Sequence, residues 1–319
     1  MSITARGYRA ETQIDFEKDF KVSPTTKAGK IMPINTNALT ATQNLNSTNT
    51  LTGTRNDSEP FLGHESVAGD IAVPLDVRAI GHWLKGIFGA PTTTAVVGQT
   101  GMYSHVFKVK DDQPSMVIQK GFKDIGQYYI YNGCKINTLS LPIGSDSEAV
   151  ATINVMGSKE TQQTTKYDTT ATEVKLDRVY NSQCSVKIGG TEIGIIKTGN
   201  IKLDCGLDGD QYCIGDNNTR GDIPEGIFKP SGDITALFKD NAFVDKAKNG
   251  TVDSLEVIYT KDTKSLSFKF PEIMYQRTSP AVSGKTGVSC SMNWQGFYDS
   301  DSAASACVVT LVNDVASYA

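Results

Sequence analysis

Apolar and polar residues alternate with a period of two along most of this chain, which is the pattern of strands that bury one face. Residues 255–259 alternate, a polar turn follows at 261–264, and residues 266–270 alternate again. This arrangement predicts a β-hairpin with one buried face. Alternating or short apolar runs predict further strands at 104–109, 115–120, 127–131, 135–142, 149–156, 173–177, 184–188, 201–205, 287–296 and 306–312.

A helical period replaces the alternation in two places. Between residues 80 and 88 the apolar side chains recur at i, i+3, i+4, i+7 and i+8, which places them on one face of a helix. We therefore predict a helix over 77–88 that Asp76 caps and Gly89 ends. A weaker pattern predicts a second helix over 235–248. The two tryptophans, Trp83 and Trp294, fall on the apolar faces and are predicted to be buried.

One spaced motif occurs twice in the chain. Its members are Arg55, Asp57, Gly69 and Asp70 in the first copy, and Arg220, Asp222, Gly232 and Asp233 in the second. The two Gly-Asp-Ile tripeptides lie 163 residues apart, and each precedes a predicted helix. A long period that is repeated once predicts a duplicated domain rather than a solenoid of short units.

The length of 319 residues agrees with two domains of ordinary size. We predict an N-terminal arm over 1–30, a first domain over 31–160, a linker with the first strands of the second repeat over 161–190, and a second domain over 191–319. The fold class is then mainly β, a β-rich α+β protein. It contains two repeated antiparallel β-sandwich or barrel domains, each with one flanking helix.

The segment 35–58 is unusually polar, since thirteen of its twenty-four residues are Asn or Thr. Such a stretch cannot form a core. It predicts either a long hairpin that is polar on both sides or an extended loop. In either form it is a flexible surface loop or an interaction loop that becomes ordered on a neighbouring subunit, and the sequence leaves both alternatives open.

The paired charges of the repeated motif also leave alternatives open. An arginine and an aspartate two positions apart share a face on an extended segment. They could pair with each other and hold a turn inside the domain. They could equally pair with complementary charges of a neighbouring subunit.

Charge and chemistry exclude several classes of function. The net charge is −4, and residues 204–245 hold nine acids against three bases, so a general nucleic-acid binder is excluded. The histidines at 64, 82 and 105 have no triad or metal-ligand spacing, and Asp204, Asp208 and Asp210 lack the spacing of a calcium loop. We predict no catalytic, cofactor or metal site, and therefore no enzyme.

Membrane and redox signals are also missing from the sequence. No run approaches 18 apolar residues, and the N-terminus lacks the apolar segment of a signal peptide. The six cysteines form no C-x-x-C pair or regular framework, which favours reduced thiols in a cytoplasmic product. No membrane contact is expected.

Several segments in order carry a resemblance to a known family. They are Arg55–Asp57, Val67–Asp76 and Ile80–Gly89 in the first half, and Pro230–Asp240, the hairpin 254–270, Gly284–Val288, Gly296–Asp299 and Val308–Asp314 in the second. Together they resemble the tail tube proteins, or major tail proteins, of long-tailed, non-contractile bacteriophages (siphophages). The resemblance covers roughly residues 25–315 and depends on the order and spacing of all the segments.

The resemblance implies a structural virion protein. Subunits of that family close into rings, the rings stack into a hollow tail, and DNA passes through the channel during ejection without specific binding. The implied partners are further copies of the chain, the tape-measure protein in the lumen, and the tail terminator and distal tail proteins. The implied location is the virion tail, after assembly in the host cytoplasm.

The same resemblance suggests roles for two groups of residues. The candidates for contact between rings are Asn44, Asn46, Thr48, Asn49, Thr50 and Thr52, together with the N-terminal arm. The candidates for the lumen are Asp204, Asp208 and Asp210, because acidic and neutral polar groups do not hold the phosphate backbone.

The duplication bears on the symmetry of the ring. Related tubes use six tube domains per ring, so a chain with two such domains implies a homotrimer with pseudo-sixfold symmetry; the alternative is a homohexamer in which one repeat decorates the outside. Two other interpretations remain. One is a minor tail component, such as the distal or terminator ring, and the other is a β-sandwich adhesin or glycan-binding module.

Overall fold

The structure is a computed structural model that describes residues 4–144, 146–282, 284–298 and 303–318. The described residues are mainly β, with twenty strands and two α-helices, which confirms the predicted fold class. The elements of the first half are β1 (Ala10–Phe16), β2 (Lys30–Met32), β3 (Thr36–Asn37), β4 (Thr40–Asn46), β5 (Phe61–Pro74), α1 (Ile80–Phe88), β6 (Thr92–Ala95), β7 (Tyr103–Lys108), β8 (Met116–Phe122), β9 (Gln127–Ile143), β10 (Val150–Gly157), β11 (Lys159–Gln163) and β12 (Thr172–Glu173). Those of the second half are β13 (Cys184–Ile188), β14 (Thr191–Glu192), β15 (Ile196–Asp204), β16 (Lys229–Leu237), α2 (Ala242–Asn249), β17 (Asp253–Lys261), β18 (Lys264–Tyr275), β19 (Ser289–Phe297) and β20 (Val308–Asn313).

One antiparallel sheet runs through both halves of the chain, and we call it the long sheet. Its strand order is β4–β5–β10–β9–β15–β16–β19–β18, with β3 beside β4 on the outer edge of β5. The halves meet where β9 pairs with β15, and Leu139 lies opposite Leu203 there. Both leucines are fully buried, and a single apolar core extends through the two halves.

Two flanking sheets share strands with the long sheet. The first has the order β12–β2–β1–β8–β9–β11, and the second has the order β14–β13–β17–β18–β20–β7–β6. The strands β9 and β18 therefore pass from a flanking sheet into the long sheet. In β9 the register shifts beside Gly133, whose φ of 63° is in the left-handed region that favours glycine.

The helix α1 lies against the core and begins three residues later than predicted. The carboxylate of Asp76 accepts hydrogen bonds from the backbone N–H groups of Arg78, Ala79 and Ile80, so it caps the helix as expected. Gly89 ends the helix with a φ of 77°. Trp83 and Trp294 are 0% and 2% exposed, which confirms their predicted burial.

The structure corrects two predicted elements. The second helix is α2 and starts at Ala242, while residues 235–237 belong to β16. Ile234 and Ala236 alternate into the core there, and pairing with β15 and β19 on both edges outweighs a weak helical pattern. The strand predicted at 173–177 is reduced to the two residues of β12.

The N-terminal segment, for which the sequence predicts an arm over 1–30, contains a strand. From Ala10 onward it forms β1, which lies between β2 and β8 in a flanking sheet. The strand buries Glu11, Gln13 and Asp15 on one face, while Ala10, Thr12, Ile14 and Phe16 lie on the other. Partners make this burial possible, because Glu11 pairs with Lys123 and Lys166.

The order and register of strand pairing around β5 recur around β16. In the long sheet, β4–β5–β10–β9 is followed by β15–β16–β19–β18, and each group keeps the same chain order with one helix after its second strand. The matching cross-strand pairs are Gly69–Val155 and Asp70–Asn154 in the first half, and Gly232–Trp294 and Asp233–Asn293 in the second. The repeated Gly-Asp-Ile therefore occupies the same position in both groups.

Candidate functional site

The face of the long sheet that points away from the core is polar. A row across five strands consists of Asp70, Asn154, Thr138, Asp204 and Lys229. Within it the Asn154 amide donates to the Asp70 carboxylate at 2.7 Å. Since strand pairing also places Lys202 and Asp233 on this face, carboxylates and lysines alternate among neutral polar groups there.

The three acidic residues predicted for the lumen lie in two places. Asp204 is on this polar face at the end of β15, 3.5 Å from the Lys202 ammonium. Asp208 and Asp210 lie beyond the strand, in the loop 205–228. The Asp210 N–H and the Gln211 amide donate to the Asp208 carboxylate, and these bonds lower the pKa of Asp208.

The Asn/Thr-rich segment forms a hairpin. β4 and β5 pair as far as Asn46 and Phe61, and the loop 47–60 connects them. Of the residues predicted to contact another ring, Asn44 and Asn46 belong to β4, while Thr48, Asn49, Thr50 and Thr52 lie in the loop. All six are exposed or half-exposed.

Apolar side chains on this hairpin were missed by the sequence analysis, which considered only its Asn and Thr content. Leu45, Phe61 and Leu62 are 66%, 55% and 57% exposed, and Leu51 is 99% exposed. Exposed leucines are ordinary one at a time, but four large apolar residues on one hairpin point to a contact surface.

The second arginine of the repeated motif joins the two halves. Arg220 is 6% exposed, and its guanidinium donates to the carbonyls of Val67 and Gly157 at 2.9 and 2.7 Å, as well as to the Ser66 hydroxyl. It also donates to the Gly209 carbonyl within its own loop. Loop 205–228 is thereby attached to the middle of β5 and the end of β10.

A buried ion pair holds the same loop farther along. The Lys135 ammonium donates to the Glu225 carboxylate at 2.7 Å and to the Ile223 carbonyl at 2.9 Å. Burial alone would raise the pKa of Glu225, but hydrogen bonds from Lys135 and from the Gln113 N–H lower it. Lys135 is only 7% exposed because the loop covers it.

The first arginine of the motif has the opposite surroundings. Arg55 is exposed and makes no hydrogen bond or ion pair with the residues that the structure describes. The local turn is nevertheless alike in both copies: the Ser58 N–H donates to Asp57, as the Ile223 N–H donates to Asp222. The two copies of the motif thus share a local turn but differ in their tertiary contacts.

The histidines and cysteines belong to the fold. His105 is buried, and its ring contacts the Thr93 hydroxyl and the Val315 carbonyl, while burial lowers the pKa of His82 to about 4. All six cysteines are free thiols. Within the described ranges, no three His, Cys, Asp or Glu residues are grouped to hold a metal ion. The helices of those ranges are too short or too polar to cross a membrane.

The chain was compared with known proteins. A family model described as "Phage tail tube protein" matches residues 7–296, which is nearly the whole chain. A search of curated proteins gave no match.

Proposed function

The chain belongs to the phage tail tube protein family, and from this premise we propose that its subunits close into rings that stack into the tube through which DNA is ejected. Membership makes the protein a structural component of the virion tail that associates with copies of itself into a tube, and not an enzyme. Beyond family membership, we propose that the tube consists of stacked rings, that each ring has pseudo-sixfold symmetry, and that DNA passes through the channel.

The observation that carries the proposal is the long sheet, which has a free edge at each end. β4 with β3 forms one edge. At the other end β17 pairs with β18 as far as Ile273, so the outer edge begins at Met274 and Tyr275. Strand edges with unpaired N–H and C=O groups are templates for pairing with another chain. Pairing the β18 edge of one copy with the β4 edge of the next closes a ring of heterologous contacts.

The repeated pairing order supports a duplication and a trimer. Within the chain, β9 of the first group pairs with β15 of the second. In the second group β18 occupies the position of β9, and in the first group β4 occupies the position of β15. A junction like that between β9 and β15 can therefore form between β18 of one copy and β4 of the next. Three chains with two tube domains each, 31–160 and 191–319, then give pseudo-sixfold symmetry. A homohexamer with one decorating repeat is the alternative.

The polar face of the long sheet suits the wall of the channel. Its carboxylates, Asp70, Asp204 and Asp233, do not attract phosphate, and the lysines there have carboxylates within the same face. Asp208 and Asp210 lie at the rim in this arrangement. Because few lysines on this face lack a nearby carboxylate, contact with DNA releases few counterions, and the duplex is not bound tightly.

The hairpin between β4 and β5 is proposed to reach the neighbouring ring with its tip, residues Thr48, Asn49, Thr50 and Thr52. Further proposed partners are the tape-measure protein inside the tube and the terminator and distal tail proteins at its ends. Assembly in the host cytoplasm agrees with the free thiols.

Electron microscopy of the purified protein at high concentration, with rotational averaging of end-on rings, tests the proposal. Hollow tubes with three chains per ring are expected. Tubes with six chains per ring would retain the function and replace the trimer by the hexamer. Dispersed monomers at every salt concentration and protein concentration would contradict the proposal.

A further inference from the structure

In the first half of the chain, loop 205–228 covers a row of three neighbouring residues on the long sheet. These are Ala68, Met156 and Lys135, on β5, β10 and β9. Gly209 packs so closely on this row that a β-carbon there would lie 3.2 Å from the Met156 sulfur. Glu225 binds Lys135 at the other end.

The matching row in the second half is open. It consists of Ser231, Gln295 and Met274, on β16, β19 and β18. These residues line a surface groove of about 370 Å³. Met274 is 41% exposed, whereas Lys135 in the matching position is 7% exposed, so a cover that is present in the first half is missing here.

The segment that corresponds to the cover is the hairpin loop between β4 and β5. Loop 205–228 connects β15 to β16, and the hairpin loop connects the matching strands β4 and β5. A glycine lies six residues before the Gly-Asp-Ile in both cases, Gly226 near the end of loop 205–228 and Gly63 near the start of β5. The residue before that glycine is Glu225 in the first case and Leu62 in the second.

Within one chain this hairpin cannot reach the open row. β4 and β18 are at opposite ends of the long sheet, and seven strand spacings of about 4.8 Å separate them by roughly 34 Å. In a ring, however, the β4 edge of one copy lies beside the β18 edge of the next. The partner of the open row is therefore a second copy of this chain.

We infer that Leu62 of one copy packs on Met274 of the next copy, in the place that Glu225 occupies on Lys135 within each chain. The inference rests on the proposed ring. Both side chains are apolar and largely exposed, at 57% for Leu62 and 41% for Met274. The charged pair inside the chain is thus replaced by an apolar pair between chains, and burial of both side chains stabilises the contact.

The first arginine of the motif completes this contact. Arg220 donates to the carbonyls of Val67 in β5 and Gly157 at the end of β10, and the matching residues on β16 and β19 are Pro230 and Gly296. A β-carbon on Gly296 would lie 2.9 Å from Pro230, so the two are direct neighbours. Proline has no N–H, so this end of the ladder lacks one donor. Arg55 of the neighbouring copy supplies donors there.

A charge exchange tests the contact between Leu62 and Met274. Leu62→Glu and Met274→Lys each place an unpaired charge against an apolar side chain, so each should raise the critical concentration for tube formation about tenfold or more. The double variant recreates the Lys–Glu pair that the chain already uses internally. Its critical concentration should return to within about threefold of the wild-type value.

Matched variants control for charge alone. Val97→Glu changes a 99% exposed valine in the loop between β6 and β7, and Val252→Lys changes a 50% exposed valine outside the groove. Both should assemble like the wild type. Circular dichroism and thermal melting of the unassembled variants verify that all of them fold, as is expected for exposed positions.

The outcomes separate the inference from the proposed function. If the wild type forms tubes and the double variant is impaired as much as the two single variants together, the contact is overturned and the tube stands. Single variants that assemble normally overturn it as well. If the wild type forms no tubes, the proposed function fails, and the contact between copies fails with it.

Discussion

At the scale of single residues, the two arginines of the repeated motif have similar sequence contexts and opposite environments. Arg220 is buried against carbonyls of the other half, and Arg55 is exposed in the hairpin loop. The difference comes from strands that are distant in sequence, so the motif alone does not contain it. Each arginine therefore has its own expected effect on the unassembled subunit.

We expect Arg220→Ala to lower the free energy of unfolding by about 2–4 kcal/mol, because it removes hydrogen bonds from several buried carbonyls at once. Arg55→Ala is the matched control and should change this free energy by less than about 0.5 kcal/mol. Urea denaturation of unassembled protein measures both. Equal effects of the two substitutions would contradict the described contacts.

A second residue-scale prediction concerns pH. Hydrogen bonds from Arg78 and then from Lys264 hold the pKa of Asp314 well below its usual range. A lowered pKa stabilises the fold above the unfolded-state pKa, about 3.9 for Asp, and the stabilisation is lost as the pH falls toward the folded-state value. Asp314→Asn should therefore be destabilising at pH 7 and progressively less so below about pH 4.

The free energies of unfolding of the wild type and of Asp314→Asn, measured between pH 7 and about pH 2.5, check this expectation. A difference between the two proteins that stays constant over the whole range would show that the ion pair adds no pH-dependent stability.

At the scale of elements, the two strands that carry Gly-Asp-Ile are held in matching surroundings. A β-carbon on Gly69 would lie 2.4 Å from the Ala38 carbonyl oxygen, and one on Gly232 would lie 2.0 Å from the Asn200 carbonyl oxygen. Both oxygens belong to the neighbouring strand segment, β3–β4 or β15. Glycine is therefore required at both positions by the closeness of the adjacent backbone.

Gly69→Ala and Gly232→Ala should each destabilise the subunit by about 1–3 kcal/mol, because the backbone of the adjacent strand has to move. Gly194→Ala is the control, since a β-carbon there meets no atom within 4 Å. Thermal melting of the three variants gives the comparison. A neutral result at either motif glycine would show that the two strands are not held alike.

At the scale of the whole molecule, the long sheet combines an apolar core on one face with a polar face on the other. The polar face carries the carboxylates that the proposed channel needs, and the two edges are where we propose that the ring closes. In that proposal the subunit exposes its edges and its polar face without exposing its core.

Replacing Asp70, Asp204 and Asn293 by lysine should slow DNA ejection from assembled virions, because ammonium groups bind phosphate and release counterions. Asp240→Lys and Asp262→Lys, which lie outside the long sheet, form the control. The rate of DNA release after triggering is the measurement. Ejection at the wild-type rate from the polar-face variant would contradict the assignment of this face to the channel.

The periodicity of apolar residues predicted those parts of the fold in which the apolar side chains are the buried ones. The hairpin 255–270, helix α1 and the burial of Trp83 belong to this group. The extent and burial of β1 were not predicted, because Glu11, Gln13 and Asp15 are buried on one of its faces and Glu11 pairs with lysines far along the chain. Residues 235–237 were assigned to a helix because the strands that pair with them are distant in sequence.

For the candidate site, the repeated motif identified the right positions but not their roles. Arg220 and Arg55 were singled out with equal weight, and only the fold assigns one to the interior. The pair Lys135–Glu225 and the exposed Leu62 gave no sequence signal, because a single charged or apolar residue in a loop has no period.

The sequence by itself determined the β-rich class, the helix after the first Gly-Asp-Ile, the repeated motif and the net negative charge, because these follow from local periodicity and from counts of residues. Only the tertiary structure decided that the two halves share one sheet, that one motif arginine is buried while the other is exposed, and that Met274 lies uncovered. Those facts depend on which distant strands pair. Pairing is chosen by the core as a whole, through the burial of one face of every strand, and no local segment contains that information.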